Sequence, residues 1–347
     1  MSEVDADGTV AVRDEDAPDL SDVASWLEPV VGDLGGGPVV RQFPGGASNL
    51  TYLLRYPARD VVLRTPPRGH KAATAHDMRR EFTVQHALRP VFGTVPHVLA
   101  IAPDDSAYAM DPVRGLILRA ELPGGLELDH DQARGLATAV VDRLVALHSV
   151  DPAAVGLDRL GRGPGYVRRQ IDGWSRRFRA ARTDDVPDFE TVMSWLDAHQ
   201  PPDVGACVIH NDWRFDNLVL ASDDPLSVVA VLDWEMATVG DPLMEVGSAL
   251  AYWVQADDDA TFRSMRRQPT HLPGMLSRDD VVELYAARTG RFVDDWRFYE
   301  VFGLFRLAVI LQQIWWRYVN GETTNPAFAG FGGAVAYLHE RSRARLA

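Results

Sequence analysis

Residues 209–220 read IHNDWRFDNLVL, and residues 228–235 read VVAVLDWE. The first stretch sets His210 and Asp212 ahead of Asn217, and the second is an apolar run that ends in Asp233. Phosphoryl transfer depends on positioning and charge neutralisation more than on covalent chemistry. It needs a carboxylate to accept or orient the proton of an attacking hydroxyl, and Asp212 is placed for that. It also needs a few oxygen ligands for magnesium, and Asn217 and Asp233 can supply one each. His210 would pack behind the loop and hold its shape by hydrogen bonding. A surface turn rich in Asp and Asn is the plainer reading, but it does not account for an apolar strand ending in Asp-Trp-Glu at this distance.

The chain has 347 residues, 46% hydrophobic and 24% charged, enough for two ordinary domains with a sizeable core. The formal net charge of −14 argues against nucleic acid as a partner. The one cysteine, Cys207, excludes a disulfide framework and an all-cysteine zinc site; within the apolar run ACVI it reads as a buried, inert thiol. Residues 1–18 are acidic and have no apolar h-region, so they read as a disordered tail rather than a secretory signal. The most apolar stretch, VFGLFRLAVILQQIWW (301–316), carries Arg306 and two glutamines and reads as a buried helix, not a membrane span. A soluble, cytoplasmic protein is expected.

Outward from the loop, the pattern divides. Asp19 or Ser21 can cap a short helix through Val31, which the glycine-rich stretch GDLGGGP ends. Short β-type runs follow: VVRQF, NLTYLLRY and DVVLR, then HVLAI and AYAMD, with a helix from about His76 to Leu88 between the two groups. Pro66-Pro67-Arg68-Gly69 breaks the third run. From Asp131 onward helical spacing dominates, in LATAVVDRLVALHSV, GYVRRQIDGWSRRFRAA and FETVMSWLDAH, and again over about 242–253, 278–289, 294–319 and 332–345. The reading is a bilobal α+β protein with the general layout of protein-kinase-like folds. A small β-rich lobe covers residues 19–112 and a larger helical lobe 113–347, with a hinge near Asp111–Gly115.

The segments HNDWRFDNLVL and LDWEMATVGDPLMEVG together resemble the aminoglycoside phosphotransferase/choline kinase-like family, in particular the branch related to kinase-like domains fused to acyl-CoA dehydrogenases. The resemblance extends to PGGASNLTYLL, VVLRTPPRGHKAATAHDMRREF, FGLFRLAVILQQIWWRY and TTNPAFAGFG, most of the chain from about Val39. It implies an ATP- and magnesium-dependent kinase acting on a small-molecule hydroxyl, with Asp212 as catalytic base and Asn217 and Asp233 as magnesium ligands. Asn211 departs from the family, which usually has Gly there, although Asn tolerates left-handed backbone.

The remaining parts are then placed. Gly45 and Gly46 let backbone approach phosphate, and Ser48 and Asn49 offer donors to anionic oxygens, although a plain hairpin turn has the same composition. Kinases hold the α- and β-phosphates with a lysine paired to a helical Glu. Here the third strand ends in Arg64, with Glu81 in the next helix; Lys71, the only lysine, follows the Pro-Pro break. Met110 and Val113, at the hinge, complete the nucleotide-binding set. Asp241 reads as a helix N-cap that steadies the catalytic loop, Glu235 as a group near the metal, and Trp213 and Arg214 as structural. Arg306, Trp315, Trp316, Arg317 and Tyr318 would wall the acceptor site, which then suits a carboxylate or phosphate more than a polycation. The acidic run Asp257–Asp259 reads as a solvated loop. The acceptor reading is a hydroxyacyl-CoA or hydroxy acid. An aminoglycoside is the alternative, and a nucleotide-binding pseudokinase or regulatory module is the alternative of another class.

Overall fold

The computed structural model describes residues 8–44, 49–67 and 77–346. Gly45, Gly46, Ser48 and Lys71 lie outside the described residues. The chain divides into two compact units, Met1–Gly115 with Val229–Ala237, and Leu116–Val228 with Thr238–Ala347.

In the first unit, helix α1 (Val23–Val31) precedes strands β1 (Val39–Gln42), β2 (Leu50–Arg55) and β3 (Asp60–Thr65), helix α2 (Met78–Phe92), and strands β4 (Val98–Ile101) and β5 (Tyr108–Met110). The strands form one antiparallel sheet in the order β1-β2-β3-β5-β4. One face is covered by α1, and Trp26, Leu27, Tyr52, Leu54, Val61, Leu63 and Ala109 fill the core between them. The register sets Arg64 opposite Thr51 on one side and Tyr108 on the other. Asp77 caps α2 by accepting from Arg80 N–H. The buried stripe of α2, Met78, Glu81, Gln85 and Leu88, follows helical spacing and includes a carboxylate, which demands a buried partner.

Two expectations for this unit are corrected. Residues 8–18 are packed rather than disordered: Val10 pairs with Gln42, and Asp16 accepts from the Gln42 amide while its carbonyl takes the Tyr52 hydroxyl. An apolar residue and hydrogen-bonding partners on the sheet edge offset the local charge. Helix α1 begins after Asp22, whose side chain makes no cap bond; Asp19 instead accepts from Ser21 N–H in the preceding turn.

The second unit is helical around two short pieces of sheet. Helices α3 (His130–His148), α4 (Tyr166–Ala181) and α5 (Glu190–Ala198) lead into β6 (Cys207–Ile209) and β7 (Leu218–Leu220). Strand β8 (Val228–Val231) returns the chain to the first unit, to which residues 229–237 belong. Strand β9 (Thr238–Gly240) and helices α6 (Pro242–Leu250), α7 (Ala260–Ser264), α8 (Arg278–Thr289), α9 (Arg297–Val319) and α10 (Phe331–Arg343) follow. Helix α9 is the centre of this unit, buried at Phe298 and Tyr299 and then from Val301 to Val309. It packs closely on α6 through two glycines: a Cβ on Gly303 would lie 2.1 Å from Gly247 O, and one on Gly247 2.4 Å from Tyr299 O. Among the described residues no helix is long and apolar enough to cross a membrane.

In the Asp257–Asp259 run, Asp257 and Asp259 are exposed, as a solvated loop requires, but Asp258 is not. Asp258 is buried and takes both a fork from Arg278 (2.7 and 2.9 Å) and a bond from Arg341 (2.6 Å), while Asp259 caps α7. Local composition concealed this because both arginines come from later helices.

Candidate active site

Strand β6, buried at all three positions, pairs antiparallel with β9 and delivers His210 and Asp212 at its end. His210 is fully buried, its ring against Trp213 and its Nδ1 accepting from Asp212 N–H at 3.2 Å. Asn211 adopts φ = +67°, a conformation that Asn tolerates. Three groups pin it there: Tyr166 Oη lies 3.2 Å from its Oδ1, Arg306 Nη2 donates to its carbonyl at 2.7 Å, and Glu245 accepts from its N–H.

Glu245 is the residue that sequence reading missed. Its carboxylate, 1% exposed, accepts from the backbone N–H groups of both His210 (3.1 Å) and Asn211. On the far side His148 Nε2 meets it at 2.7 Å, and His148 Nδ1 is 2.7 Å from the Tyr285 hydroxyl. The available signal was a single acid in the otherwise apolar helix PLMEVGSAL. Asp241 was expected to steady the loop. It caps α6 at Leu243 and Met244 N–H and also takes Val204 N–H, whereas Glu245, one turn on, holds the loop amides.

Asp212 sits among cations. Arg214 meets it through Nε and Nη2, each at 3.0 Å, and Asn217 Nδ2 donates to its Oδ2 at 2.8 Å. Burial alone would raise its pKa, but Arg214 and Arg306, with the hydrogen bond from Asn217, outweigh burial and hold the carboxyl below the ordinary range. Asp212 is therefore ionised at neutral pH and able to accept a hydrogen bond. Arg214, read from sequence as structural, is the cation most directly on this carboxylate; it also reaches Asp216 and lies over the Tyr252 ring. The Asn217 side-chain oxygen has no hydrogen-bond partner among the described residues, as a metal donor requires.

Of the residues expected to wall the acceptor site, Arg306 alone reaches the catalytic loop. Arg317, eleven residues on and about 16 Å along α9, faces Glu322 at 3.8 Å, and Trp315 donates to Asp185 and stacks on Tyr318.

The first unit assembles a second cluster around Arg64. Its Nε is 2.9 Å from Glu81, its Nη1 donates to Thr51 Oγ1 at 3.2 Å, and its Nη2 meets Asp233 and lies 3.5 Å from Glu235. The Arg64–Glu81 pair is buried, Glu81 being 2% exposed, and is not a surface salt bridge. Burial opposes both charges: it raises the Glu81 carboxyl against the pull of Arg64, whereas the carboxylates around Arg64 outweigh burial and lift its pKa. Asp233, at φ = +64°, is set by Trp234, whose Nε1 donates to Val231 O at 2.7 Å and whose ring packs edge-on to Phe92. Glu235 accepts from Asn49 Nδ2 at 2.9 Å, which ties Asn49 to the Asp233 segment. Met110 packs with Met78, Val98 and Tyr108, and Val113 is half-buried. Cys207 is buried and its thiol pushed up chiefly by burial, as an inert thiol should be.

The model of the phosphotransferase enzyme family matches residues 39–280. Mouse acyl-CoA dehydrogenase family member 10 is 34% identical over 309 residues, which is 86% of this chain but 28% of that protein, so the chain spans well under two thirds of this relative. A Ralstonia eutropha protein described as a candidate aminoglycoside phosphotransferase superposes with a TM-score of 0.79 at 29% identity, covering 94% of this chain and 98% of the other. Choline kinase LicA of Streptococcus pneumoniae, also solved with AMP, superposes with a TM-score of 0.57 at 12% identity over 89% and 93%, and so shares the fold. An α+β architecture with a β-rich first unit and a helical second one is the kinase-like fold of these neighbours, and the chain belongs to the phosphotransferase enzyme family.

Proposed function

We propose that this small-molecule phosphotransferase uses ATP and transfers its γ-phosphate to a hydroxyl group of the acceptor. The observation that carries the reading is the Asp212 carboxylate, held ionised by Arg214 and Arg306 on a loop whose amides Glu245 fixes. Asp212 accepts the hydroxyl proton or orients it for in-line attack. Arg64, backed by Glu81, holds phosphate oxygens as a fork of permanent charge, and Asn49 with the glycine turn covers them. Met110 and Val113 contact the nucleotide base. The proposed magnesium ligands are the Asp233 carboxylate and the Asn217 side-chain oxygen, each of the hard oxygen type that ion takes. When bound, magnesium would neutralise charge on the phosphates.

The acceptor is a hydroxyacyl-CoA or a hydroxy acid, in line with the family branch. An aminoglycoside is the second choice, since the Ralstonia neighbour carries that description; arginines beside Asp212 suit a polycation poorly. The test is phosphate transfer from Mg-ATP to hydroxy acids, hydroxyacyl-CoAs and aminoglycosides. Asp212→Ala should lower transfer by about 10²–10⁴-fold. Equal behaviour of wild type and variant on every acceptor would end the kinase assignment in favour of a nucleotide-binding regulatory module. Retention of full metal dependence in Asp233→Ala would overturn the ligand assignment.

A further inference from the structure

Arg306 is 4% exposed, on a helix buried along its first half. Among the described residues its guanidinium makes one hydrogen bond, to Asn211 O, and no ion pair. The carboxylates in its neighbourhood are already committed, Asp212 to Arg214 and Asn217, and Glu245 to His148 and two backbone N–H groups. Asp212 balances the Arg306 charge without a direct contact, and one bond to Asn211 O leaves most of the five guanidinium donors available to an added anion. A second cation lies on the same ring. The guanidinium carbons of Arg306 and Arg177 lie 5.2 and 4.6 Å from the centre of the same Trp174 ring. Arg177 is exposed and has no ion-pair partner among the described residues. Burial lowers its pKa first, and Arg176 and Arg306 lower it further, so the two cations act on one another. Tyr166 and Tyr252 complete the surroundings and add no carboxylate; their hydroxyls feel Arg306 directly.

We infer that Arg306 and Arg177, braced on Trp174, form an oxyanion-recognition site beside Asp212, so that the acceptor carries a carboxylate or phosphate close to the hydroxyl being phosphorylated. Arg306 meets the anion at depth, and Arg177 contributes from the exposed side. A planar guanidinium on an aromatic ring is well suited to a two-oxygen anion. The acceptor class is then a free hydroxy acid or a hydroxyalkyl phosphate. A hydroxyacyl thioester is neutral near its hydroxyl and has its phosphates at the far end. This rests on the kinase reading for the hydroxyl chemistry; the anion site itself is a binding claim.

The test measures kcat/KM for a hydroxy acid series, the matching methyl esters, hydroxyalkyl phosphates and hydroxyacyl-CoA thioesters. Wild type, Arg306→Lys, Arg306→Met and Arg177→Met are compared, with calorimetric binding of each compound run in parallel. Wild type should prefer acid or phosphate over ester by roughly 10–100-fold, the range for hydrogen bonds to charged groups. Arg306→Met should collapse that preference, Arg306→Lys retain part of it, and Arg177→Met raise KM for the anion with little change in kcat. A preference for acid over phosphate, or the reverse, identifies which oxyanion the site takes. Equal use of acid and ester by wild type overturns the inference while leaving the kinase reading intact. So does an equal loss for acid and ester in Arg306→Met, because support of Asn211 alone predicts that. Anion binding that depends on Arg306 and Arg177 without transfer to any acceptor supports the site and sinks the kinase reading. Absence of both anion binding and anion turnover sinks the site.

Discussion

Replacing Glu245 by Gln is the sharpest probe of how the catalytic loop is held. The carboxylate accepts from Asn211 N–H at one oxygen and from His210 N–H and His148 at the other. A glutamine has one acceptor oxygen, so its NH₂ must face a buried donor whichever way it turns. If the oxygen takes Asn211 N–H, His210 N–H is orphaned and His148 faces an NH₂; if it turns round, Asn211 N–H is orphaned. Losing a bond to a charged acceptor costs about 1.5–3 kcal/mol, and stranding a buried donor a further 1–3 kcal/mol, which gives roughly 3–5 kcal/mol. For a protein of this size, that is a fall in Tm on the order of 10 °C. Because Asn211 precedes Asp212 and holds a left-handed φ, the carboxylate should also shift, and a misplacement of about 1 Å can cost roughly 10²-fold in kcat. ATP affinity should change little, since Arg64, Glu81 and Asn49 belong to the other unit. Calorimetry and steady-state kinetics read both effects. A Tm within about 2 °C of wild type, well below the shift expected from these bonds, together with an unchanged kcat, would refute the reasoning.

Arg64→Met should strand Glu81 in the core and cost about 3–5 kcal/mol; Arg64→Lys should cost less, and denaturant titration with calorimetric ATP binding separates stability from affinity. Arg214→Met removes the first of the cations that hold Asp212 low, so the Asp212 pKa should rise. The sign follows from linkage: a depressed carboxyl contributes stability above its unfolded pKa and loses it as pH falls through the folded value. The acid limbs of both stability and kcat/KM should therefore move to higher pH in the variant, as pH-dependent melting and rate profiles would show. Gly303→Ala drives a methyl to 2.1 Å from Gly247 O and should destabilise by about 1–3 kcal/mol or more, since the obstacle is backbone on a packed helix; urea unfolding measures it.

Much of the site was legible because its chemistry fixes spacing along one stretch of chain. His210, Asp212, Asn217 and Asp233 fall within one strand-loop-strand passage, and Arg64 with Glu81 follows from a strand end and the next helix. What escaped was carried by tertiary partners. Glu245 reads locally as an ordinary helical acid, and its role depends on the loop amides and on His148, ninety-seven residues earlier. Asp258 looked solvated because Arg278 and Arg341 come from α8 and α10. Arg317 looked equivalent to Arg306 because both lie on α9, and only the placement of α9 against the loop tells them apart. Residues 8–18 looked disordered by charge, although Val10 and Asp16 find partners on β1 and β2.

The split membership of the first unit has a consequence for how the protein is made. Val229–Ala237 belongs with residues encoded more than a hundred codons earlier. A nascent chain that has just completed β5 already has Arg64 and Glu81, but not Asp233, Glu235 or the Trp234 ring that packs on Phe92. The Arg64 cluster closes only after Ala237 has left the ribosome, by which time all of residues 116–228 of the second unit have been synthesised. For the same reason the unit is not one contiguous gene segment: a swap of residues 1–115 between relatives leaves residues 229–237 behind, so the transplanted Arg64 must pair with the recipient's own carboxylates there.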